Sequence, residues 1–379
     1  MDFLYDDEQD ALREAVRGLV GKAYADYENR RQTVATDPGF DESLWTKMAE
    51  MGLLGLPFSE DDGGVGAGPV EIGIVCQELG RVIAPEPYLT SVVLAGGLVS
   101  ACGTPEQRQE ILGALSGGES VLAFAHDEPG RGWNSSAEQV TAKQDGDSWT
   151  LTGVKEPVPH GARADVLIVS AALPGGGTGL FRVDGGAADR TGYATYDGTR
   201  AAKVTFAGTA ATPLGEPGLD VTASIATVQD ITRVMAANQA LGTMQFLLPT
   251  TTEYLRSRKQ FGVPLSTFQS LTFRAADMYV SLELTQSMVD WATMVVAAGD
   301  PTDVADAARR VSLQVSRAGR HVGQEAIQLH GGIAVTMEYS VGMAMASLTA
   351  LDHLLGDGTH HLRELAGAVT TYSALDPLD

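Results

Sequence analysis

The stretch Arg256-Ser257-Arg258-Lys259-Gln260-Phe261-Gly262-Val263-Pro264 decides how this chain is read. It is the densest basic cluster in a protein of net charge -22, and it sits where a helical pattern stops. Gly262 and Pro264 break the chain, and Phe268-Gln269 opens the next helix. Cations at a helix C-terminus complement the helix dipole, which alone would account for them. Arginine also suits a planar, two-pronged grip on phosphate. Outward from this cluster, Leu271, Ala275, Met278, Leu282, Thr285, Val289, Ala292 and Val296 follow an alternating four-three spacing. Val304, Ala308, Val311, Val315, Ala318 and Val322 repeat it after Gly299-Asp300-Pro301. The pattern predicts two long antiparallel helices joined by a tight turn and packed as a bundle. The second ends in Gln328-Leu329-His330-Gly331-Gly332, where the glycines either stop the helix or let backbone approach a ligand. Pro249 is expected to kink or bend the helix that precedes the basic cluster.

The remaining sequence divides by texture. Residues 1–120 read as a helical domain. Asp41 or Ser43 caps a helix through Trp45 and Met51 that stops near Gly52, another helix starts at Pro69, and a third opens with Thr104-Pro105. Residues 121–215 are rich in Gly, Thr, Val and Ser, with strand-like runs at Trp149–Val154, Val166–Val169, Leu180–Val183 and Val204–Phe206. This predicts a compact β domain, barrel-like or sandwich-like. Residues 222–379 are helical again. The order helices, β domain, helices is α+β without a βαβ rhythm, so a doubly wound sheet is disfavoured. Gly63-Gly64-Val65-Gly66 lacks the Lys-Ser/Thr of a phosphate loop and reads as a turn.

Composition excludes several functions. The chain of 379 residues is long enough for two or three packed domains. Its acidity argues against nucleic acid. No apolar run is long enough to span a bilayer, so no membrane insertion is expected. An acidic start, Asp6-Asp7-Glu8, is unlike a signal peptide, and a cytoplasmic protein is expected. Two cysteines, Cys76 and Cys102, cannot form a sulfur metal site, and the adjacent His360 and His361 point to different faces, so no metal is expected.

Taken together, the motifs resemble the acyl-CoA dehydrogenase family over nearly the whole chain. The resemblance is carried by Asp2-Phe3 with Glu8-Gln9, Leu53-Leu54-Gly55-Leu56-Pro57, Glu78-Leu79-Gly80-Arg81 and Glu128-Pro129-Gly130-x-Gly132. Most specific are Arg256-x-Arg258-Lys259-Gln260-Phe261-Gly262 with Phe268-Gln269, and Gln328-x-x-Gly331-Gly332. It implies a helical domain, a β domain and a four-helix-bundle domain, with four subunits joined through the bundle and FAD at a subunit interface. The implied reaction is α,β-dehydrogenation of an acyl-CoA thioester from fatty-acid β-oxidation or steroid catabolism, with electron-transfer flavoprotein as acceptor. By the same resemblance Arg258 and Phe261 hold the pyrophosphate of a neighbouring subunit's FAD. Gln269, Gln328, Gly331, Gly332 and Thr359 belong to FAD binding as well, and Arg233 lies beside the acyl-CoA channel, its other reading being a helix-surface ion pair.

Three departures bear on activity. Where the family has Trp-x-Thr against the flavin, this chain has Pro157-Val158-Pro159. Trp133 stands where a small hydroxyl is usual. Of the two customary positions for a catalytic Glu, one is Thr232 and the other, counted without gaps, is Leu355; Asp357, in Asp357-Gly358-Thr359, fits only after a two-residue shift. The sequence therefore supports an unequal subunit of a heteromeric dehydrogenase that completes a partner's FAD site. The alternatives are a self-sufficient homotetramer with Asp357 as base, and an inactive scaffold relative.

Overall fold

A computed structural model describes residues 5–369. Asp2, Phe3 and Leu4 of the first helical motif, and residues 370–379, lie outside the described residues. The N-terminal third is helical because its polar residues sit where helices need ends. Asp6 and Gln9 form a capping box for α1 (Asp7–Tyr24). A short α2 (Tyr27–Ala35) follows. Asp41 accepts from the Ser43 and Leu44 amides to start α3 (Glu42–Glu50), and Gly52 at φ +73° ends that turn. Pro69 occupies the first turn of α4 (Pro69–Arg81). A π-helical segment, Tyr88–Gly96, runs into α5 (Gly97–Cys102), and a Thr104/Gln107 capping box opens α6 (Pro105–Ser116). The Asp41 and Thr104 caps are where the sequence places them.

Seven strands then form one sheet: β1 (Leu122–Ala125), β2 (Thr141–Asp145), β3 (Ser148–Pro159), β4 (Val166–Ala172), β5 (Thr178–Asp184), β6 (Asp189–Ala194) and β7 (Arg200–Pro213). The path runs β1-β4-β2-β3-β7-β5, and β5 also pairs with β4, so the sheet closes on itself as a barrel-like ring. It encloses a core of its own that includes Trp149, Leu151, Phe181, Val204 and Phe206. Beside this core the fully buried Lys155 ammonium donates to the His126 carbonyl (2.7 Å), Glu128 Oε1 (2.9 Å) and Ser170 Oγ (3.0 Å). Glu128 also accepts from the Gln139 and Val140 amides. A buried ion pair is tolerable only when satisfied this completely, and it anchors the Glu128-Pro129-Gly130 turn to the barrel.

The C-terminal part is a bundle. Helix α7 (Thr222–Ser257) stays a single helix through Pro249, whose kink was expected from sequence; the Thr250 and Thr251 hydroxyls donate to the Phe246 and Leu247 carbonyls beside it. Helices α8 (Gln269–Ala298) and α9 (Pro301–His330) form the expected hairpin around Gly299, followed by α10 (Ser340–Leu354) and α11 (Gly358–Gly367). The seam residues of α8 and α9 are buried except the half-buried Leu271 and Val315, so these stripes are consumed within the chain's own bundle. The apolar surface left on α8 is a different face, with Phe273, Val280 and Leu284 exposed.

Helix α4 docks on α7 backbone to backbone. A Cβ on Gly80 would lie 1.9 Å from the Gln239 carbonyl oxygen, and one on Gly242 would lie 1.9 Å from that of Gln77. The close approach is bonded by Thr243 Oγ1 to the Gly80 carbonyl (3.0 Å) and by Gln77 Nε2 to Asn238 Oδ1 (2.8 Å). Since backbone on both sides cannot yield as a side chain would, Gly242→Ala is expected to destabilise by at least the roughly 1–3 kcal/mol of core overpacking. A denaturant midpoint unchanged from wild type would show that the two helices are free to separate.

Candidate active site

Two places in the fold collect the unusual residues, one facing outward and one inside. At the outward place α7 ends at Ser257, and the chain makes a small hairpin of β8 (Lys259–Gln260) and β9 (Val263–Pro264). Its two-residue tip is Phe261 at φ +53° and Gly262 at φ +82°. Such a tip requires left-handed backbone, which suits Gly and strains Phe. Yet Phe261 is held there 92% exposed, its ring meeting only the edge of Phe268 at 6.1 Å. Among the described residues Arg256, Arg258 and Lys259 have no carboxylate partner, and all are exposed. A strained, exposed aromatic beside unneutralised cations on an acidic protein has the chemistry of an anion site.

The Gln328–Gly332 segment joins this place at the end of α9. His330 is buried, donates from Nδ1 to the Ala326 carbonyl at 2.8 Å, and packs on Tyr254 of α7 (4.5 Å between centroids) and on Tyr339 (5.2 Å). That aromatic stack brings the ends of α7 and α9 together. Gln269 and Gln328 are exposed, and Gly331 (φ +68°) and Gly332 have open space where a Cβ would be. Five of the residues the sequence singled out therefore share one end of the bundle with Arg258, Phe261 among them. Thr359 does not: it is exposed on the first turn of α11.

The inner place is a cavity of about 350 Å³ lined by all three regions. The barrel contributes Asp127, Pro157, Pro159 and His160, the N-terminal region Glu86, Leu89 and Thr90, and the bundle Gln239, Leu351 and Leu354. Thr90 lies on the π-helical segment, and its hydroxyl is 2.9 Å from His160 Nδ1. Neither Pro157 nor Pro159 can offer a backbone donor. Burial pushes the Glu86 carboxyl up to about 7 and that of Asp127 up to about 6, and it pushes the His160 imidazole down to about 4. Glu86 Oε1 accepts from the Tyr24 hydroxyl and the Asp41 amide, while its Oε2, His160 Nε2 and Arg30 Nη1 are buried without a hydrogen-bond partner. Sequence reading passed over this cluster. The signal for it was a carboxylate between two prolines, Pro85-Glu86-Pro87, inside an otherwise apolar run.

The expected catalytic and substrate positions are not among the residues that line this cavity. Thr232 is fully buried, with its hydroxyl bonded to the Val228 carbonyl at 2.7 Å. Arg233 donates from Nη1 to Asp230 (2.6 Å) and from Nε to the Leu355 carbonyl (2.9 Å), so it clamps the α10–α11 loop to α7. Leu355 is half-buried and abuts a void of only about 30 Å³. Asp357 is the N-cap of α11, accepting from the His360 amide at 2.8 Å, and is not among the residues lining the cavity. Trp133 donates from its indole N–H to the His353 carbonyl (3.1 Å) and leans on the His353 and His360 rings, tying the barrel loop to the end of α10. Among the described residues no three His, Cys, Asp or Glu side chains group as a metal site, and no helix is long and apolar enough to cross a membrane.

Comparison with known proteins places this geometry. Residues 6–119 match the family "Acyl-CoA dehydrogenase, N-terminal domain" and residues 222–369 match "Acyl-CoA dehydrogenase, C-terminal domain". The chain is 30% identical to acyl-CoA dehydrogenase FadE27 of Mycobacterium tuberculosis over 89% of its length and 91% of that protein. Its fold is similar to the ChsE4-ChsE5 complex of Mycobacterium tuberculosis, with a TM-score of 0.88, 28% identity and coverage of 99% of this chain and 100% of that one. It is also similar to the Tcur3481-Tcur3483 steroid ACAD, with a TM-score of 0.87, 30% identity and coverage of 96% and 98%.

Titration of Glu86 is the testable consequence of the cavity's electrostatics. Its folded pKa, about 7, lies above the unfolded value of 4.5, so the folded state binds the extra proton between these values. Its contribution is most favourable below 4.5 and is lost as pH rises through 7. Glu86→Gln abolishes the titration and keeps the acceptor for Tyr24. The variant is expected to gain on wild type as pH goes from 4.5 to 8, by at most about 3 kcal/mol for a shift of this size. Parallel stability curves for the two proteins across that range would contradict the assignment.

Proposed function

This chain belongs to the acyl-CoA dehydrogenase family, and we propose that it acts within it as one of two unlike subunits, completing the FAD site of a homologous partner. Members are oxidoreductases acting on the CH–CH bond of an acyl-CoA. FAD, when bound, supplies the hydride acceptor. The observation that carries the proposal is a division between the two places. Outside, Arg258, Phe261, Gln269, Gln328, Gly331 and Gly332 are presented to solvent at one end of the bundle. They fit a pyrophosphate and its adenosine held by another chain: Arg258 for phosphate charge, Phe261 for an apolar or aromatic face, the bare glycines for close backbone approach. Inside, the residues do not fit a flavin of this chain's own. Pro157 and Pro159 offer no N–H, Asp127 and Glu86 present acids, and Trp133 is bonded across the rim.

Abstraction of a weakly acidic α proton needs a carboxylate within hydrogen-bond reach of it. Thr232 and Leu355 cannot serve, and Asp357 is committed to its cap. On this reading the partner contributes the base and the flavin face. Assembly through the bundle, as a heterotetramer, is supported by the exposed α8 face of Phe273, Val280 and Leu284 next to the Phe261 hairpin region. The ChsE4-ChsE5 complex and the Tcur3481-Tcur3483 steroid ACAD are named as pairs, and a steroid acyl-CoA is the substrate class proposed by analogy with the second. Electron-transfer flavoprotein is the proposed acceptor.

The test is to purify the full chain alone and together with a homologous subunit, scoring flavin per chain, particle mass by light scattering and acyl-CoA oxidation. Alone it is expected to be weak or inactive; with the partner it should form a larger particle that holds flavin and turns over, and Asp357→Asn should leave that activity intact. Ordinary rates from the lone chain, lowered roughly 10²–10⁴-fold by Asp357→Asn as for a lost general base, would install the self-sufficient enzyme instead.

Arg258→Ala probes the shared site directly. Because the side chain is exposed and unpaired, melting should be unaffected. Loss of a charge-assisted phosphate contact, about 1.5–3 kcal/mol, should weaken FAD retention by the paired enzyme roughly ten- to a hundred-fold. Flavin content equal to wild type at limiting FAD would remove Arg258 from the site.

A further inference from the structure

We propose that a groove apart from the outward motif and the inner cavity, bounded by α1, α4, α7 and α8, is a binding site for a small polar organic cation that places one ammonium or guanidinium group against Asp290. Its volume is about 450 Å³, within the roughly 300–1,000 Å³ of small-molecule sites. Its wall is polar: Asp10 and Arg13 of α1, Arg81 of α4, Gln245 of α7, and Gln286 and Asp290 of α8. All six are partly exposed, so their polar groups are open to a ligand. None of them lines the inner cavity. Gln286 is bonded toward α7, whereas the exposed apolar face of α8 is the one with Phe273, Val280 and Leu284.

A one-way chain of hydrogen bonds joins three of these helices. Arg81 donates to Gln245 Oε1, Gln245 Nε2 to Gln286 Oε1 at 2.7 Å, and Gln286 Nε2 to both oxygens of Asp290 at 3.0 and 2.9 Å. The chain starts at a cation and ends at a carboxylate, and only the start is neutralised. Arg81 pairs with Glu78 (3.3 Å) and Arg13 with Asp10 (2.8 Å). Among the described residues Asp290 has no ion-pair partner, and its one side-chain donor is the neutral Gln286. Burial raises its carboxyl above the usual range, as for a charge that has lost water and gained no cation. An incoming ammonium or guanidinium group would supply that cation and donate to the oxygens. An anion would be repelled by Asp290, and a neutral molecule would leave its charge unmatched. The two arginines limit the ligand to one positive charge, because a second would meet them. Carbonyl or hydroxyl oxygens at that end would instead accept from guanidinium N–H groups.

The inference goes beyond the shared-site reading and does not depend on it. The test is calorimetric titration of the full chain with N-acetylputrescine, N-butylacetamide and 4-acetamidobutyrate, a cation, a neutral molecule and an anion that share an amide on a short alkyl chain. The cation is expected to bind at least about ten-fold tighter than the other two, as for a charge-assisted contact. This ranking needs no variant. Asp290→Asn removes the charge at constant size, leaves an acceptor for Gln286 and should erase the preference. Asp290→Lys should reverse it in favour of the anion. Melting curves confirm that each variant is folded. Excess FAD, and assembly with the homologous subunit, should leave the titration unchanged. N-acetylputrescine bound no tighter than N-butylacetamide, an intact preference in folded Asp290→Asn, displacement by FAD, or loss of binding on assembly would each overturn the proposal. Flavin content of the paired enzyme is read separately and decides only the shared-site reading.

Discussion

The contact between α4 and α7 sets the frame in which everything else is placed. Gly80 and Gly242 bring two helix backbones closer than any side chain permits, and Thr243, Gln77 and Asn238 bond across the joint. Asn238 carries the connection on to Thr293 of α8 (3.0 Å). One helix is thereby fixed to the N-terminal region, to the bundle and, through Arg233 and the Leu355 carbonyl, to the α10–α11 loop. The long α7 can then serve two separate places at once. Its first half lines the interior with Gln239, and its last turn aims the Arg258–Phe261 hairpin away from the chain.

Much of this was written in local chemistry and could be read without coordinates. The caps at Asp41 and Thr104, the four-three seams of α8 and α9, and the shift to Gly, Thr and Val at the barrel all report on neighbours close in sequence. The outward motif was legible for a related reason. The basic residues and the aromatic lie together in the sequence around Gly262, and the structure leaves Phe261 exposed. Pro249 stands inside a helix that continues through it, with the Thr250 and Thr251 hydroxyls bonded to the Phe246 and Leu247 carbonyls beside it. The seams hold α8 and α9 within the chain as their spacing predicts, while a different apolar face, at Phe273, Val280 and Leu284, is left exposed.

The cavity was illegible because its members come from far apart. Glu86, Asp127 and His160 meet only when three regions have packed, and no spacing in the sequence links them. Their most telling property, a polar atom without a partner, is a statement about absence that no residue type carries. The same holds in reverse for Asp357 and Arg233. Their residue types allow a base and a channel cation, while the contacts they make, to a backbone amide at 2.8 Å and a carbonyl at 2.9 Å, depend on the packed fold.

These two places also differ in how they would respond to loss of a catalytic function. An outward motif that serves another chain remains useful whatever happens to this chain's own cavity. The cavity carries Pro157 and Pro159, which offer no backbone donor, yet it is not the dry, fully apolar packing that would be the most stable filling of such a space. It keeps buried acids whose pKa values are raised by desolvation, an imidazole in strained backbone, and hydrogen bonds that hold both in position. Buried polar groups of this kind cost stability unless something satisfies them. Here the Tyr24 hydroxyl and the Asp41 amide supply part of that satisfaction to Glu86, and the Thr90 hydroxyl supplies it to His160.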